Sequence, residues 1–310
     1  MINILFAATD DLWRDYESPL KRALEAAGVA ANLRRDHGAE VTDYIIFGPG
    51  GPVDDFTPFT RCKAVLNLWA GVEKITQNKT LTQPLCRMVD PSLTNAMVEW
   101  VVGHTMRHHL GMDAHIHGQD GIWRNDVYPP IAADRPVTIL GIGALGAACG
   151  QALHQLGFPV TGWSRSPKDI PNMRCLHGDD GLNTALSGAQ IVVLLLPMTA
   201  QTENTLNAAR LAMLAPGAFI INPGRGPLID DAALLAALET GQVAHATLDV
   251  FRTEPLPQDH VFWGHPQITV TPHIAATTRP DTAARVIAEN IAGHENGAPL
   301  QNRVDRGRGY

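Results

Sequence analysis

Short apolar runs alternate with stretches of helical periodicity along most of the chain. In the N-terminal third, such runs predict strands at residues 2–7, 44–47, 64–68 and 85–89. Beyond residue 136 the pattern is sharper, and the apolar runs there predict six further strands: 137–140, 159–163, 191–196, 218–221, 246–250 and 268–270. Strands that alternate with helices are typical of α/β domains built on parallel sheets.

Three predicted helices indicate how these strands are connected. The first runs from Ser92, a candidate N-cap residue, to about residue 117, and the polar, proline-containing segment 118–136 after it is predicted to be a loop. The second, at 232–238, lies between the fourth and fifth of the later strands. The third, at 282–291, follows all of them.

Six strands with helices between them match a doubly wound nucleotide-binding domain. We expect the tail after about residue 275 to pack back on the N-terminal part of the chain. The sequence therefore predicts a dinucleotide-binding domain at residues 99–274, inserted into a substrate domain made of residues 1–98 and 275–310. The expected fold class is α/β, with two doubly wound parallel-sheet domains: a Rossmann domain within a flavodoxin-like domain.

Composition and charge exclude several classes of protein. Hydrophobic residues make up 45% of the chain and charged residues 18%, which is ordinary for a globular protein. The 31 acidic residues outnumber the 24 basic ones, for a net charge of −7, which argues against a nucleic-acid partner. The longest apolar run, 191–196, is too short to cross a membrane.

Cysteine usage and the N-terminus bear on the compartment. The four cysteines contain no C-x-x-C pair, which is typical of a reducing environment and gives no zinc site: Cys62, Cys86, Cys149 and Cys175. The first residues read as a strand and not as a signal peptide. We therefore expect a cytoplasmic protein.

A glycine loop follows the first of the six later strands. Gly141, Gly143 and Gly146 form G-x-G-x-x-G, with Ala144 and Leu145 between the last two glycines. The loop opens a helical pattern that leads to a second strand, as a dinucleotide-binding βαβ unit requires. The pyrophosphate of such a ligand would lie at the helix N-terminus, where unpaired N–H groups favour an anion.

The end of the next strand indicates which dinucleotide is bound. NAD sites usually carry an acidic residue there for the ribose 2′-hydroxyl. This chain instead has Ser164, Arg165 and Ser166, which suit a 2′-phosphate. We therefore predict a preference for NADPH, worth about 10- to 100-fold, while NADH remains an alternative cofactor. The competing interpretation is that Arg165 is an ordinary solvated surface arginine.

Polar residues lie just beyond the last three predicted strands. Arg225 follows the fourth strand, Asp249 lies at the end of the fifth, Glu254 follows the fifth, and His273 follows the sixth. Ligands of open α/β sheets bind outside the carboxyl ends of the strands, so these residues are expected to meet over one bound nicotinamide. Each could alone be a solvated charge or an interior histidine, but their shared position favours a site.

The chain resembles the D-isomer-specific 2-hydroxyacid dehydrogenase family and, within it, the bacterial glyoxylate/hydroxypyruvate reductases of the A type. The resemblance covers nearly the whole chain and rests on the combination of these segments: Leu68-Trp69-Ala70-Gly71-Val72, the glycine loop with Trp163-Ser164-Arg165, Leu196-Pro197, Arg225-Gly226, Leu248-Asp249-Val250-Phe251, Glu254-Pro255-Leu256, Thr271-Pro272-His273 and the ending 304–310. Pro223-Gly224 before Arg225 departs from the usual family pattern.

The resemblance implies roles for the residues at the strand ends. Arg225 would bind the substrate carboxylate and polarise the keto oxygen, His273 would donate a proton to that oxygen, and Glu254 would pair with His273. Hydride addition builds negative charge on this oxygen, which a fixed cation and an adjacent acid stabilise. Asp249 would help to position the nicotinamide carboxamide.

The resemblance also implies the remaining contacts. Gly71 and Val72 would offer backbone N–H groups to the carboxylate, with Trp69 and Ala70 shaping the pocket. Further cofactor contacts are expected from Leu196, Pro197 and Pro223. Phe47 and Arg279 are candidates to flank the pocket, because Phe47 precedes Gly48 and Arg279 follows His273. Members of the family usually form homodimers through the long helix near residues 92–117.

Three functional hypotheses remain at this point. The first is NADPH-dependent reduction of small 2-keto acids, such as glyoxylate and hydroxypyruvate, to D-2-hydroxy acids. The second is a D-2-hydroxyacid dehydrogenase for a larger keto acid. The third is a dinucleotide-sensing binding protein without turnover, against which the joint presence of Arg225, Glu254 and His273 argues. A β-hydroxyacid dehydrogenase is disfavoured, because some 140 residues precede Gly141.

A metal site is conceivable on the predicted long helix. His104 and His108 are four residues apart and could share one face of that helix. The residues between them are Thr105, Met106 and Arg107, so the glutamate of an H-E-x-x-H motif is missing. The sequence therefore predicts no metal.

Overall fold

Two parallel sheets, each with its own core, organise the chain. A computed structural model describes residues 1–125 and 128–307, so residues 126 and 127 of the predicted loop and residues 308–310 of the C-terminal motif lie outside the described residues. The first unit consists of Met1–Leu93 with Thr277–Tyr310, and the second of Thr94–Ala276. The sequence-based boundaries, 98/99 and 274/275, lie a few residues from these.

The secondary structure of the first unit starts at the N-terminus. Its elements, in chain order, are β1 (Ile2–Ala7), α1 (Asp10–Ala26), β2 (Ala31–Arg34), β3 (Tyr44–Phe47), β4 (Ala64–Asn67), α2 (Glu73–Thr76) and β5 (Leu85–Cys86). The chain then enters α3 (Pro91–His109), which begins in the first unit and continues in the second.

The second unit continues with the following elements: α4 (Met112–His117), β6 (Val137–Leu140), α5 (Ala144–Gln155), β7 (Val160–Ser164), β8 (Arg174–His177), α6 (Gly178–Leu186), β9 (Ile191–Leu194), α7 (Ala208–Leu211), β10 (Ala218–Asn222), α8 (Asp231–Glu239), β11 (Val243–Leu248) and β12 (Ile268–Val270). Short 3-10 helices occur at Ala132–Asp134, Gly226–Leu228 and Val261–Gly264. The last helix, α9 (Pro280–Glu295), returns to the first unit.

The sheet of the first unit has the strand order β2-β1-β3-β4-β5, and its strands pair in parallel. This is the flavodoxin-like order, with the reversal between β1 and β3. Apolar side chains of α1 and α9, such as Leu20 and Ile287, pack in one core with Ile4, Phe6 and Ile46 of the sheet. The C-terminal helix therefore completes the first core.

The sheet of the second unit has the order β12-β11-β10-β9-β6-β7-β8, again with parallel pairing. Counted from β6, this is the Rossmann order with one added strand. The predicted fold class is thus confirmed, but the prediction of six strands is wrong, because β8 is a seventh. Its sequence, Arg-Cys-Leu-His, contains no apolar run, since as an edge strand it pairs on one side only.

The predicted long helix is divided in two. α3 ends at His109, and Gly111 adopts a left-handed backbone conformation (φ 61°) before α4 begins. Glycine permits this conformation at little steric cost, so the helical periodicity hides the break. Asp90, and not Ser92, caps α3: its carboxylate accepts hydrogen bonds from the backbone N–H groups of Ser92 (3.1 Å) and Leu93 (3.3 Å). Among the described residues, no helix is long and apolar enough to span a membrane.

Candidate active site

The glycine loop lies at the carboxyl end of β6. Gly141 has φ +102°, and a Cβ atom there would lie 2.5 Å from the carbonyl oxygen of Leu195. A Cβ atom on Gly146 would lie 2.0 Å from the carbonyl oxygen of Gly141. Both positions therefore require glycine. Gly143 is the N-cap of α5 and, together with Ala144, is exposed; no side chain caps this helix, so its first N–H groups suit an anion.

The other predicted cofactor residues follow neighbouring strands of the same sheet. Ser164 ends β7, and its hydroxyl donates to the carbonyl oxygen of Ser166 (2.8 Å), while Arg165 and Ser166 are exposed. Leu196 and Pro197 follow β9, and the buried Pro223 follows β10. All of these residues are thus at the carboxyl ends of parallel strands.

The structure brings Glu254 and His273 into direct contact. Nδ1 of His273 lies 2.7 Å from Oε2 of Glu254, and Oε1 of Glu254 accepts a hydrogen bond from the backbone N–H of Phe251 (2.8 Å). The side chains are 52% exposed for His273 and 35% for Glu254. Because Nδ1 faces the carboxylate, Nε2 is the imidazole nitrogen directed away from it. The carboxylate thus fixes the orientation of the ring and leaves Nε2 as the nitrogen that can face a ligand.

The backbone of His273 is strained and held by Asp249. His273 has φ +55°, a conformation that costs a non-glycine residue about 1–3 kcal/mol. Its N–H donates to the carbonyl oxygen of Asp249 (2.9 Å). The carboxylate of Asp249, which is 1% exposed, accepts from the hydroxyl of Thr271 (2.6 Å) and from the N–H groups of Ile274 and Ala275 (both 2.9 Å). Asp249 therefore fixes the loop that presents His273.

Arg225 lies on a loop that hydrogen bonds from the adjacent residues hold in place. The side-chain amide of Asn222, the last residue of β10, donates to the carbonyl oxygen of Arg225 (3.0 Å) and accepts from the N–H of Gly224 (3.1 Å). The guanidinium of Arg225 donates through Nη1 to the carbonyl oxygen of Gly224 (2.7 Å). Asn222 was missed from the sequence, although an asparagine before Pro-Gly is a turn signal.

The loop of Arg225 packs directly on the loop of Glu254. A Cβ atom on Gly226 would lie 2.0 Å from the carbonyl carbon of Phe251, so the two backbones are in contact. Arg252 joins the same loops, because its guanidinium donates to the carbonyl oxygen of Ile229 (2.6 Å) and to the side chain of Asn204. Arg252 was also missed, since nothing in its sequence context distinguishes it from a surface arginine.

The predicted substrate residues of the first unit follow β4. Trp69 is 45% exposed, Ala70 and Gly71 are half-buried, and Val72 is buried. The amide of Asn67, the last residue of β4, donates to the carbonyl oxygens of Trp69 (2.7 Å) and Gly71 (2.9 Å). Asn67 therefore holds this loop, and it too was missed from the sequence.

Two other candidate residues lie elsewhere in the first unit. Phe47 ends β3 and packs on Phe56, with ring centroids 5.8 Å apart. Arg279 is exposed immediately before α9.

His108 of α3 faces the second sheet. His108 is 3% exposed, its Nε2 lies 2.9 Å from the hydroxyl of Thr247, and its ring stacks on Phe219 at 4.7 Å. Burial lowers the pKa of His108 to about 3. In the part of the chain that the structure describes, no three His, Cys, Asp or Glu side chains are grouped to hold a metal ion.

The sequence of the second unit matches a known family. Residues 100–275 match the model of the D-isomer specific 2-hydroxyacid dehydrogenase, NAD binding domain. The chain belongs to this family. It is accordingly an oxidoreductase whose NAD-binding domain is the second unit.

Curated relatives in this dehydrogenase family extend the match to the whole chain. The glyoxylate/hydroxypyruvate reductase A of Serratia proteamaculans is 41% identical over 258 residues, which cover 81% of this chain and 82% of the relative. The protein of the same name from Yersinia enterocolitica is 36% identical over 319 residues and covers 100% of both chains.

Solved structures of 2-hydroxyacid dehydrogenases agree with the fold. A D-isomer specific 2-hydroxyacid dehydrogenase from Xanthobacter autotrophicus, solved with NADPH and MES, is 39% identical, with a TM-score of 0.91 and 99% of each chain covered. The NADPH-dependent glyoxylate/hydroxypyruvate reductase of Sinorhizobium meliloti, solved with NADP and sulfate, is 31% identical, with a TM-score of 0.86 and 100% of each chain covered.

Proposed function

We propose that this protein catalyses the NADPH-dependent reduction of small 2-keto acids, such as glyoxylate and hydroxypyruvate, to D-2-hydroxy acids. The observation that carries the proposal is the contact of 2.7 Å between His273 and Glu254, next to the loop of Arg225 at the carboxyl edge of a Rossmann sheet. The names of the curated relatives and the cofactors bound in the solved relatives support the choice of substrate and cofactor.

The residues of the second unit fit a phosphorylated dinucleotide. The glycines at 141 and 146 leave no room for a side chain, and the N-terminus of α5 has no side-chain cap. Arg165 follows β7 at the position where NAD sites usually carry a carboxylate, and its positive charge suits a 2′-phosphate. We assign Ser164, Ser166, Leu196, Pro197 and Pro223 to the same cofactor site. When bound, NADPH supplies the hydride.

The side chains at the strand ends supply binding and the proton. The guanidinium of Arg225 binds the substrate carboxylate with paired N–H bonds and stabilises the negative charge that develops on the keto oxygen. The imidazolium of His273 gives its Nε2 proton to that oxygen. Glu254 keeps the ring oriented through Nδ1. Asp249 supports this arrangement through its contacts with the His273 loop, beside its proposed contact with the nicotinamide carboxamide.

Residues of the first unit enter the proposal through the sequence resemblance. We assign Trp69, Ala70, Gly71 and Val72 to substrate binding, with backbone N–H groups of the last two directed at the carboxylate. Arg279 is a further candidate. The exposure of Trp69 leaves its indole available for contact with a substrate.

We also propose that the protein is a cytoplasmic homodimer. Large apolar side chains that follow one another along the chain, within and after α4, are strongly exposed: Ile116 (60%), Ile122 (65%), Trp123 (89%), Tyr128 (80%) and Ile131 (68%). Strong exposure of several large apolar side chains in one segment favours an interaction surface there. Light scattering should give twice the mass of the chain, and a single-chain mass would contradict the dimer. The four cysteines are unpaired, which suits a reducing compartment.

A keto-acid panel tests the activity. Oxidation of NADPH and NADH would be followed with glyoxylate, hydroxypyruvate, phenylpyruvate and a branched keto acid, for the wild type and for Arg165→Ser. We expect glyoxylate and hydroxypyruvate to give the highest kcat/KM. NADPH should be preferred about 10- to 100-fold by the wild type but not by Arg165→Ser.

Other outcomes of the panel would overturn parts of the proposal. A preference for phenylpyruvate would indicate an enzyme for larger keto acids. Binding of NADPH without turnover on any member of the panel would indicate a sensing protein. Equal kcat/KM with NADPH and NADH would remove the assignment of Arg165.

A further inference from the structure

Asn222 is a buried polar residue that the proposed reaction does not use directly. It is 1% exposed and ends β10, three residues before Arg225. Both functional groups of its side chain bond to the loop that follows: Nδ2 donates to the carbonyl oxygen of Arg225 at 3.0 Å, and Oδ1 accepts from the N–H of Gly224 at 3.1 Å. Its amide thus spans the turn that carries the arginine.

These two bonds require an amide. An aspartate at position 222 would keep the acceptor for Gly224 but would place an oxygen against the carbonyl oxygen of Arg225. An alanine would remove both partners: the buried N–H of Gly224 would lose its acceptor, which is costly in a protein interior, and the carbonyl oxygen of Arg225 would keep only the N–H of Leu228 (3.2 Å). Asparagine therefore satisfies both ends of the turn, and neither replacement does.

The loop is also fixed from outside. A Cβ atom on Gly224 would lie 2.8 Å from the carbonyl oxygen of Leu194 at the end of β9, so the turn rests directly on the neighbouring strand. The carbonyl oxygen of Asn222 accepts from the N–H of Asp249 at 3.0 Å, which ties the end of β10 to the end of β11. These contacts restrict the backbone that leads to Arg225. The hydrogen bonds from the side chain of Asn222 restrict it further.

We infer that Asn222 is a positioning residue: it sets the backbone of Arg225 so that the guanidinium points at the substrate carboxylate. The inference rests on the proposed function, because it needs Arg225 to bind the keto acid. It predicts a much larger effect on the binding of the keto acid than on the binding of the cofactor. A displacement of about 1 Å in a binding group can cost about 100-fold in catalysis.

A second buried asparagine provides a matched control. Asn290 in α9 is 5% exposed and bonds to Gln301 in the same manner: Nδ2 donates to its carbonyl oxygen (3.2 Å), and Oδ1 accepts from its N–H (3.0 Å). A merely structural role of Asn222 would make its variants behave like those of Asn290, with lower thermal stability and unchanged KM.

The experiment compares Asn222→Ala, Asn222→Asp, Asn290→Ala and Asn290→Asp. For the Asn222 variants we expect kcat/KM for glyoxylate to fall about 10- to 100-fold, mainly through a higher KM. The Kd for NADPH, from quenching of protein fluorescence, should stay within about twofold of the wild type. The Asn290 variants should melt at lower temperature with wild-type KM. If Asn222→Ala does not fold, the isosteric Asn222→Asp alone decides the test.

A double-mutant cycle separates this inference from the proposed function. If Asn222 acts through Arg225, Asn222→Asp should cost less than about twofold in the Arg225→Lys background. Full additivity of the two losses, or wild-type KM and kcat in both Asn222 variants, would overturn the inference. An unchanged KM in Arg225→Lys alone would instead overturn the proposed function.

Discussion

The loop after β4 in the first unit and the loop after β10 in the second are built on the same plan but held differently. Each strand ends in a buried asparagine, Asn67 (2% exposed) or Asn222 (1%), whose amide bonds to the following loop. Asn222 uses both its donor and its acceptor. Asn67 donates to two carbonyl oxygens, but its Oδ1 is buried and has no partner among the described residues. A buried acceptor without a partner costs about 1–3 kcal/mol, so we expect the loop after β4 to be the less stable of the two.

The contacts around the two loops differ as well, and again the loop after β10 is the more firmly held. The loop after β10 touches the loop after β11 at Gly226 and is linked through Asp249 to His273. The loop after β4 carries Trp69 with nearly half of its surface exposed. The groups proposed for proton transfer and carboxylate binding thus lie in the densely bonded region, and a proposed wall of the pocket lies in the looser one. Four experiments test this contrast.

The largest effect is expected for the proton donor. His273→Ala should lower kcat for glyoxylate by about 10²–10⁴-fold, because the developing alkoxide loses its acid. Steady-state kinetics with NADPH would measure this, with the exposed His154→Ala at the end of α5 as the control. A kcat close to that of the wild type would show that the densely bonded region does not carry the proton transfer.

A smaller loss is expected for the carboxylate-binding residue. Arg225→Lys keeps the charge but cannot form two parallel bonds, so KM for glyoxylate should rise and kcat/KM should fall about 10- to 100-fold. The Kd for NADPH serves as the internal control. If KM rose by the same factor for a substrate analogue without a carboxylate, Arg225 would not be the residue that binds the carboxylate.

The two units should also respond differently to acid. Burial lowers the pKa of His108 to about 3 and of His245 to about 4. Below about pH 6.5 these two histidines bind protons in the unfolded chain but stay neutral in the folded protein. The second unit should therefore lose stability as the pH falls from 6.5 toward 4, by up to about 1.4 kcal/mol per pH unit for each histidine.

In the first unit, hydrogen bonds from Lys63 and Tyr44 lower the pKa of Glu295. Stability from this carboxylate is present above the pKa of an ordinary glutamate and is lost only below about pH 4.5. The free energy of unfolding would be measured in urea at pH 7 and at pH 5. Between these two values it should fall less for His108→Phe than for the wild type, and for Glu295→Gln it should fall by as much as for the wild type. The same pH dependence in both variants would remove the difference between the units.

The smallest effect is expected in the looser loop. Asn67→Ala removes two hydrogen bonds together with the unpaired Oδ1, so KM for glyoxylate should rise only about 3- to 10-fold. The loss of thermal stability should be smaller than for Asn222→Ala. If Asn67→Ala raised KM or lowered thermal stability more than Asn222→Ala does, the loop after β4 would be the more firmly held of the two.

The fold was predictable wherever a strand is buried on both faces. β6, β9 and β10 have apolar runs, and the sequence places them within one or two residues. The edge strands β2 and β8 were missed, because Ala-Asn-Leu-Arg and Arg-Cys-Leu-His carry polar side chains that a half-paired strand tolerates. The break between α3 and α4 was missed because periodicity does not report the sign of φ at a glycine.

The candidate site was predictable to the level of strand ends. Arg225, Glu254 and His273 follow three strands that are adjacent in the sheet, and their shared edge follows from the topology. The supporting contacts of Asn222, Asn67 and Asp249 depend on the backbone path of each loop. A hydrophobic pattern indicates strands but not the course of turns, so those contacts could not be predicted from the sequence.

The close approach at Gly226 has a consequence for protein engineering. Because not even a methyl group fits between this residue and Phe251, a designer cannot lengthen or enlarge one of these two turns without displacing the other. Variant libraries designed for new keto acids should therefore leave residues 222–256 unchanged. Diversity belongs around Trp69, where side chains of other sizes can be tried one at a time.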